Sequence, residues 1–567
     1  MKKKGSMYAC VIIAYSLFVI VCYWTLLSGH NLMKYDIWQA EYPNQVMMSD
    51  AIHNGELPLW NPLMNMGMPY YASVGTPIWY PFTFILACIG YTPWMVSVEY
   101  LLHLVIGAFG CFLLISTQKN IGEYVYENKI NMGVSFICGL IYCSSGLFLS
   151  NAQHIMIIIS ACWIPYVLYF VQKYIEKRKI YLLMCGGACA GMIMLGGYPE
   201  LFCDLFIILI PYFITLNWKK KDGVVRNIGI AFYKYILLCV FTVLASAVTC
   251  FSFLQIMPYM TRTAGVVQTP MDVALEHLLS ILLPKSALII NKSERSMCNF
   301  YIGLLTAITI PSMIRSQVKY KKLYLSLAVF SFIMSLGKYT HLYGIFQKYF
   351  PMYAAFRFCT VFRVFICIFL LMVASDCWKK ILYKKVPVTM VFCSWFLFGA
   401  GAILFVFGRL YETGTLITPS WVNDISMLYT ATKIFLITTG LYVICFFAFK
   451  YVGNINIKIT ILLGVVCIEL YSYIYAETPI TITTYNQQTA ENNEKVKVSV
   501  KNQFAYNTNR NKSNEFAGAQ RSSSGLNSQK IVFDKSFDDE GYLSVKLEST
   551  ENFKNSYNHS IIDANPE

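Results

Sequence analysis

Trp94-Met-Val-Ser-Val-Glu-Tyr-Leu-Leu-His-Leu-Val-Ile-Gly-Ala-Phe-Gly-Cys-Phe-Leu-Leu-Ile-Ser116 is the stretch on which the fold turns. A helix rises about 1.5 Å per residue and the hydrocarbon core of a bilayer is about 30 Å thick, so roughly 20 such residues cross it. Comparable runs cover 7–28, 132–150, 155–173, 180–197, 200–216, 231–256, 301–315, 322–336, 358–375, 387–408, 431–449 and 458–476, which makes about thirteen spans. The whole composition agrees: 56% of the 567 residues are hydrophobic, only 13% are charged, and the mean hydropathy is +0.51. That lies outside the range of soluble globular chains. The expected fold is an all-α polytopic membrane protein.

The net charge of +15 has a topological reading. Loops facing the cytoplasm concentrate Lys and Arg. If the N-terminus, with Lys2, Lys3 and Lys4, is inside, the inward loops carry Lys177-Arg178-Lys179, Lys219-Lys220-Lys221 with Arg226, Arg315 to Lys322, and Lys379-Lys380 with Lys384-Lys385. Alternate loops are basic and the others are not, so the charge speaks for orientation and against nucleic-acid binding. The first apolar run has no small-residue cleavage site before Gly29-His30 and reads as a retained helix. Most of the nineteen cysteines fall inside apolar runs, as buried thiols, without the spacing of a zinc site.

This orientation puts the C-terminus outside and divides the chain into a membrane domain, 1–476, and a polar tail, 477–567. Three outward segments are long enough to hold a site: 29–93, 257–300 and 337–357; a fourth, 409–430, is less distinctive. In the tail, 495–501 and 542–547 alternate polar and apolar residues as half-buried strands do, with a flexible stretch over 507–528 between them. The tail is expected to form a small β-rich outer module. There is no Walker loop or dinucleotide fingerprint.

The first outward loop opens Tyr35-Asp36-Ile-Trp-Gln-Ala-Glu41-Tyr-Pro43, continues Gly55-Glu56-Leu-Pro-Leu-Trp-Asn-Pro62, and ends with Gly67-Met-Pro69 and Tyr80-Pro81. Its Trp and Tyr suit the membrane interface, and its Pro and Gly set irregular backbone, so an ordered interfacial or re-entrant segment is expected. Asp50 falls on a short helix face, and Glu56 anchors the Pro-rich turn.

These motifs resemble the YfhO-like family of bacterial membrane proteins. Later segments follow in the same order: His154 leading to Trp163-Ile-Pro165, Gly196-Gly-Tyr-Pro-Glu200, Tyr301-Ile-Gly303, Leu336-Gly337 through Tyr343-Gly344, and Phe356-Arg357 with Arg363. The resemblance spans roughly 30 to 375 and fades beyond. That family is similar to the GT-C type of membrane glycosyltransferase, and the resemblance implies sugar transfer from a polyprenyl-phosphate donor to an envelope glycan or lipid, such as lipoteichoic acid or polysaccharide, at the outer face of the plasma membrane. It further implies that Asp36, the acid of the first outward loop, acts at the acceptor.

The chemistry can be stated independently. Such a transfer needs a carboxylate to take the acceptor's proton and positive groups to hold the phosphate that leaves. Asp36 suits the first task, and Glu41 assists it or shares a divalent cation with it; no D-x-D pair is present, so a cofactor is left open. A solvated turn acid is the plain alternative for Asp36. Glu99 and His103 stand four apart on one helix face and either bind substrate hydroxyls or satisfy each other. His154 and Glu200 fall at the level of Asp36. Arg262, Arg357 and Arg363 sit near outward helix ends, where a guanidinium can grip phosphate or merely reach lipid headgroups. A lipid or oligosaccharide flippase and a non-catalytic envelope assembly protein remain alternatives, although no inverted repeat supports transport.

Overall fold

The computed structural model of the protein describes residues 2–34, 36–61, 68–118, 128–259, 275–284, 295–350, 353–415 and 425–484. Among these residues the chain is helical except for one two-stranded ribbon and an isolated bridge between Asn61 and Met68. It is a multi-pass membrane protein: among the described residues, ten helices are long and apolar enough to cross a bilayer. Three of the expected spans form shorter helices, Ile180–Leu195, Leu304–Arg315 and Lys321–Ser335. The expected strands of the tail, at 495–501 and 542–547, lie outside the described residues.

Burial orders the helices from centre to rim. Cys359–Tyr383 is enclosed along 94% of its apolar window and Asn128–Ser150 along 83%, whereas Gly5–Cys22 is enclosed along 11% and Val388–Glu412 along 17%. A helix that is apolar all round can occupy either environment, since lipid and protein interior are both dry. Close approach selects the neighbours. Gly187 and Gly191, one turn apart, face Phe241 and Ala245 of the helix Val224–Ala245, and a Cβ on either would fall within 3 Å of those side chains.

Two expected boundaries move. The 231–256 run is divided at Ser246, whose hydroxyl turns back to the Thr242 carbonyl at 2.9 Å. The last helix continues beyond 476 to Thr481, because Glu477 is buried and does not end the apolar packing face. Residues 482–484 then form strand β2, antiparallel to β1 (Asn31–Met33), with Met33 opposite Ile482. Lys34 extends this seam. Its amide donates to Thr481 O and its ammonium to Pro479 O, each at 2.8 Å, where the carbonyl end of a helix favours a cation. The last transmembrane helix is thereby stitched to the backbone immediately before Asp36.

Candidate active site

Beyond the seam the chain makes a π-helical turn over Ile37–Glu41 and enters the helix Tyr42–His53, where Pro43 fits the first turn because no amide is needed there. The Tyr42 amide reaches Ile37 O, five residues back. An α-helix would turn residues five apart well away from each other; the wider π turn brings Asp36 and Glu41 towards one face.

Asp36 stands at the N-cap of this turn, but its side chain makes no capping bond. Its Oδ2 lies 3.0 Å from His154 Nε2, with 14% of the Asp36 side chain and 11% of the His154 side chain exposed. The pair is sheltered yet reachable. His154 ends a tight turn, its amide donating to Asn151 O at 2.8 Å, and precedes the helix Ile155–Ala161. Glu41 completes the group and is 5% exposed. Burial pushes its carboxyl up to about 8, the negative charge of Asp36 adds to the rise, His154 opposes it, and Glu99 adds further. At neutral pH Glu41 therefore retains its proton and is a hydrogen-bond donor.

Glu99 and His103 lie fully buried on the helix Pro93–Ser116, and they do not satisfy each other through their side chains. The Glu99 carboxylate accepts from the hydroxyls of Thr83 and Tyr91. His103 Nδ1 is 2.6 Å from the Glu99 carbonyl and its Nε2 is 2.7 Å from the Tyr80 hydroxyl, which also accepts from Trp163 Nε1 at 2.9 Å. Thr83, Tyr91 and Tyr80 all belong to the first loop, so the two ionisable residues anchor its second half, including the helix Pro81–Ile89. Ser49 joins the two halves: it donates to Ala87 O at 2.8 Å and accepts from the Tyr91 amide at 3.2 Å.

Glu200 sits in another cluster. It accepts from the Tyr343 hydroxyl at 2.6 Å and the Phe358 amide at 3.4 Å, while Asp204, one turn further along the helix Pro199–Asn217, accepts from Tyr353 at 2.6 Å. These bonds hold Tyr343, Tyr353 and Phe358 against the helix Pro199–Asn217. Of the three candidate arginines, the two that are described diverge. Arg357 is exposed and stacks 4.7 Å from the Phe358 ring centroid. Arg363 is buried, donates to Met297 O at 2.5 Å and Thr360 O at 2.9 Å, and lines a small apolar cavity with Ser145, Tyr301 and Ile366. Arg262 lies outside the described residues.

Lys34, Asp204 and Glu469 are additions to the residues expected from sequence. Glu469, inside the last transmembrane helix, accepts from the Tyr301 hydroxyl and Leu304 amide at 2.5 Å each and from Tyr442. Its signal was an acid within an apolar run; that of Asp204 was its four-residue spacing from Glu200. Among the described residues, no group of three or more His, Cys, Asp or Glu side chains is arranged to hold a metal ion.

No family model matches the chain, and no curated protein matches it. The fold is similar to that of ArnT from Cupriavidus metallidurans, crystallised bound to undecaprenyl phosphate, with 10% sequence identity, a TM-score of 0.50, and coverage of 87% of this chain and 81% of that one. The apo state of the same protein gives 10% identity, a TM-score of 0.47 and coverage of 84% and 78%. The arabinosyltransferase EmbB from Mycobacterium smegmatis gives 13% identity, a TM-score of 0.38 and coverage of 83% and 41%. At such identities the likeness is one of fold.

Proposed function

We propose that this protein is a membrane glycosyltransferase that moves a sugar from a polyprenyl-phosphate donor to an envelope polymer or lipid, at the outer face of a bacterial plasma membrane, with Asp36 as general base. The observation that carries the reading is the Asp36–His154 pair, sheltered but accessible, in a fold like that of a protein crystallised with undecaprenyl phosphate. The YfhO-like motifs of the first loop support the same reading.

In this reaction an acceptor hydroxyl attacks the anomeric carbon, the bond from that carbon to the phosphate oxygen breaks, and the polyprenyl phosphate leaves with the bonding electrons. The phosphate needs no proton; the acceptor's proton passes to the Asp36 carboxylate. His154 holds one carboxylate oxygen, so the base is oriented before substrate arrives. Glu41, protonated, adds a donor without adding a second negative charge beside the phosphate. Arg357, exposed at the end of the 337–358 segment, is the arginine that meets a lipid phosphate arriving from the bilayer. Glu99, His103 and Glu200 act from behind, by holding the loops that frame the site.

The test is Asp36→Asn in purified protein supplied with a polyprenyl-phosphate sugar and envelope acceptors. Transfer is expected to fall by about a hundredfold or more with an unchanged melting temperature. Transfer at the wild-type rate would remove Asp36 as the base, and donor that crosses liposomes without covalent product would favour a flippase.

A further inference from the structure

Gln45 follows Glu41 by four residues, so the two side chains share a helix face. Gln45 is completely buried, and neither its Nε2 nor its Oε1 has a hydrogen-bond partner. A buried amide left unpaired costs on the order of 1–3 kcal/mol per group, so a soluble-type core would replace it with Leu or Met. Other buried polar atoms lie on the same helix and on the turn that carries His154. Neighbouring Asn44, 3% exposed, has an unpartnered Oδ1, and its carbonyl accepts from the Tyr70 hydroxyl at 2.8 Å. Burial raises the Tyr70 phenol, and Glu41 lies near enough to add to that rise when it is ionised. Across the group, the turn that presents His154 carries the fully buried Asn151, whose Nδ2 is used on Leu147 O at 2.8 Å while its Oδ1 is unpartnered.

We propose that Gln45 reads the hydroxyl pattern of the transferred sugar, its amide donating to one hydroxyl and accepting from the next. This rests on the glycosyltransferase reading and adds to it the residue that selects the sugar. A carboxamide suits the task because it presents a donor and an acceptor side by side, complementary to a pair of vicinal hydroxyls. A site that spends buried polar groups on a substrate hydroxyl rejects the analogue that lacks it or misplaces it, since those groups then remain unpaired. Because Gln45 shares a face with Glu41, the selection would occur beside the base and its partner.

The experiment compares the wild-type full chain with Gln45→Met in detergent micelles by thermal shift, using undecaprenyl phosphate alone and the undecaprenyl-phosphoryl derivatives of glucose, galactose, mannose and N-acetylglucosamine. Free Gln45→Met is expected to melt at or above the wild type, because an unpaired buried amide has been removed. Bare undecaprenyl phosphate should shift both proteins equally. One sugar headgroup should add to that shift in the wild type and not in the variant, with apparent affinity for that donor about tenfold or more weaker. A lower melting point for the free variant would mean that the amide is already paired in the resting protein, and would overturn the proposal. So would an added shift that survives in the variant, or the absence of any added shift in the wild type while bare lipid phosphate still binds. If undecaprenyl phosphate shifts neither protein, the polyprenyl-phosphate reading itself fails, and the role of Gln45 falls with it.

Discussion

Asp36 and Glu41 lie five residues apart near one histidine, and burial first, with the Asp36 charge adding to it, pushes the Glu41 carboxyl up to about 8. Glu41 gives the site a distinctive pH signature. Between its ordinary 4.5 and about 8, the unfolded chain has released the Glu41 proton and the folded chain still holds it. The folded state then binds more protons, so stability falls as pH rises through this window, by at most about 1.4 kcal/mol per pH unit. Below the window both states are protonated and the contribution is constant. The wild-type melting temperature should therefore decline between pH 5 and 8, and Glu41→Gln should lack that part of the decline; equal slopes would show that Glu41 titrates normally. That Asp36 and His154 lie close was half legible in the sequence: the lysine pattern put both at the outer level, whereas the choice of Asp36 among the loop's acids came from the family resemblance. Glu41 was visible as an acid, but its neutral state depends on burial and on the π turn, neither of which its neighbours in sequence announce. For Glu99 and His103 the spacing suggested a pair, yet Tyr80, Thr83 and Tyr91 compete for the same atoms from a loop that folds back over them.

At the scale of elements, hydropathy located the helices well and their ends less well. Apolar runs are insensitive to breaks such as Ser246, and a polar residue such as Glu477 resembles a boundary when it is in fact buried. The β1–β2 seam had no local signal, since three residues paired across the length of the domain are too few to show a strand pattern. Its contribution can be measured by comparing a chain that stops after Thr484 with one that stops after Thr481. The shorter chain loses the ladder opposite Asn31–Met33 and should lose about 1–3 kcal/mol of stability together with most of its transfer activity, because the backbone leading into Asp36 is released. Equal activity in the two chains would make the seam irrelevant to the site.

For the molecule as a whole, the helical membrane architecture was readable from hydropathy alone, and the radial order of the helices was not. Lipid-facing and protein-facing helices have similar apolar content, and only the fold distinguishes the enclosed Cys359–Tyr383 from the peripheral Val388–Glu412. The orientation inferred from the lysines is open to direct measurement. An epitope inserted between Lys220 and Lys221 should be recognised by antibody only after permeabilisation, whereas one at the C-terminus should be recognised on intact spheroplasts. The reverse pattern would turn Asp36 towards the cytoplasm and exclude an outer-face reaction.

The seam between β1 and β2 also sets a clock. Asp36 leaves the ribosome among the first residues, but the strand that secures the backbone before it comes from the far end of the membrane domain, roughly half a minute of synthesis later at ordinary elongation rates. A nascent or prematurely ended chain can thus hold most of its helices in the bilayer while the backbone before Asp36 is still unsecured. Synthesis and pairing of Ile482–Thr484, rather than insertion of the first helices, is the event that secures the backbone before Asp36.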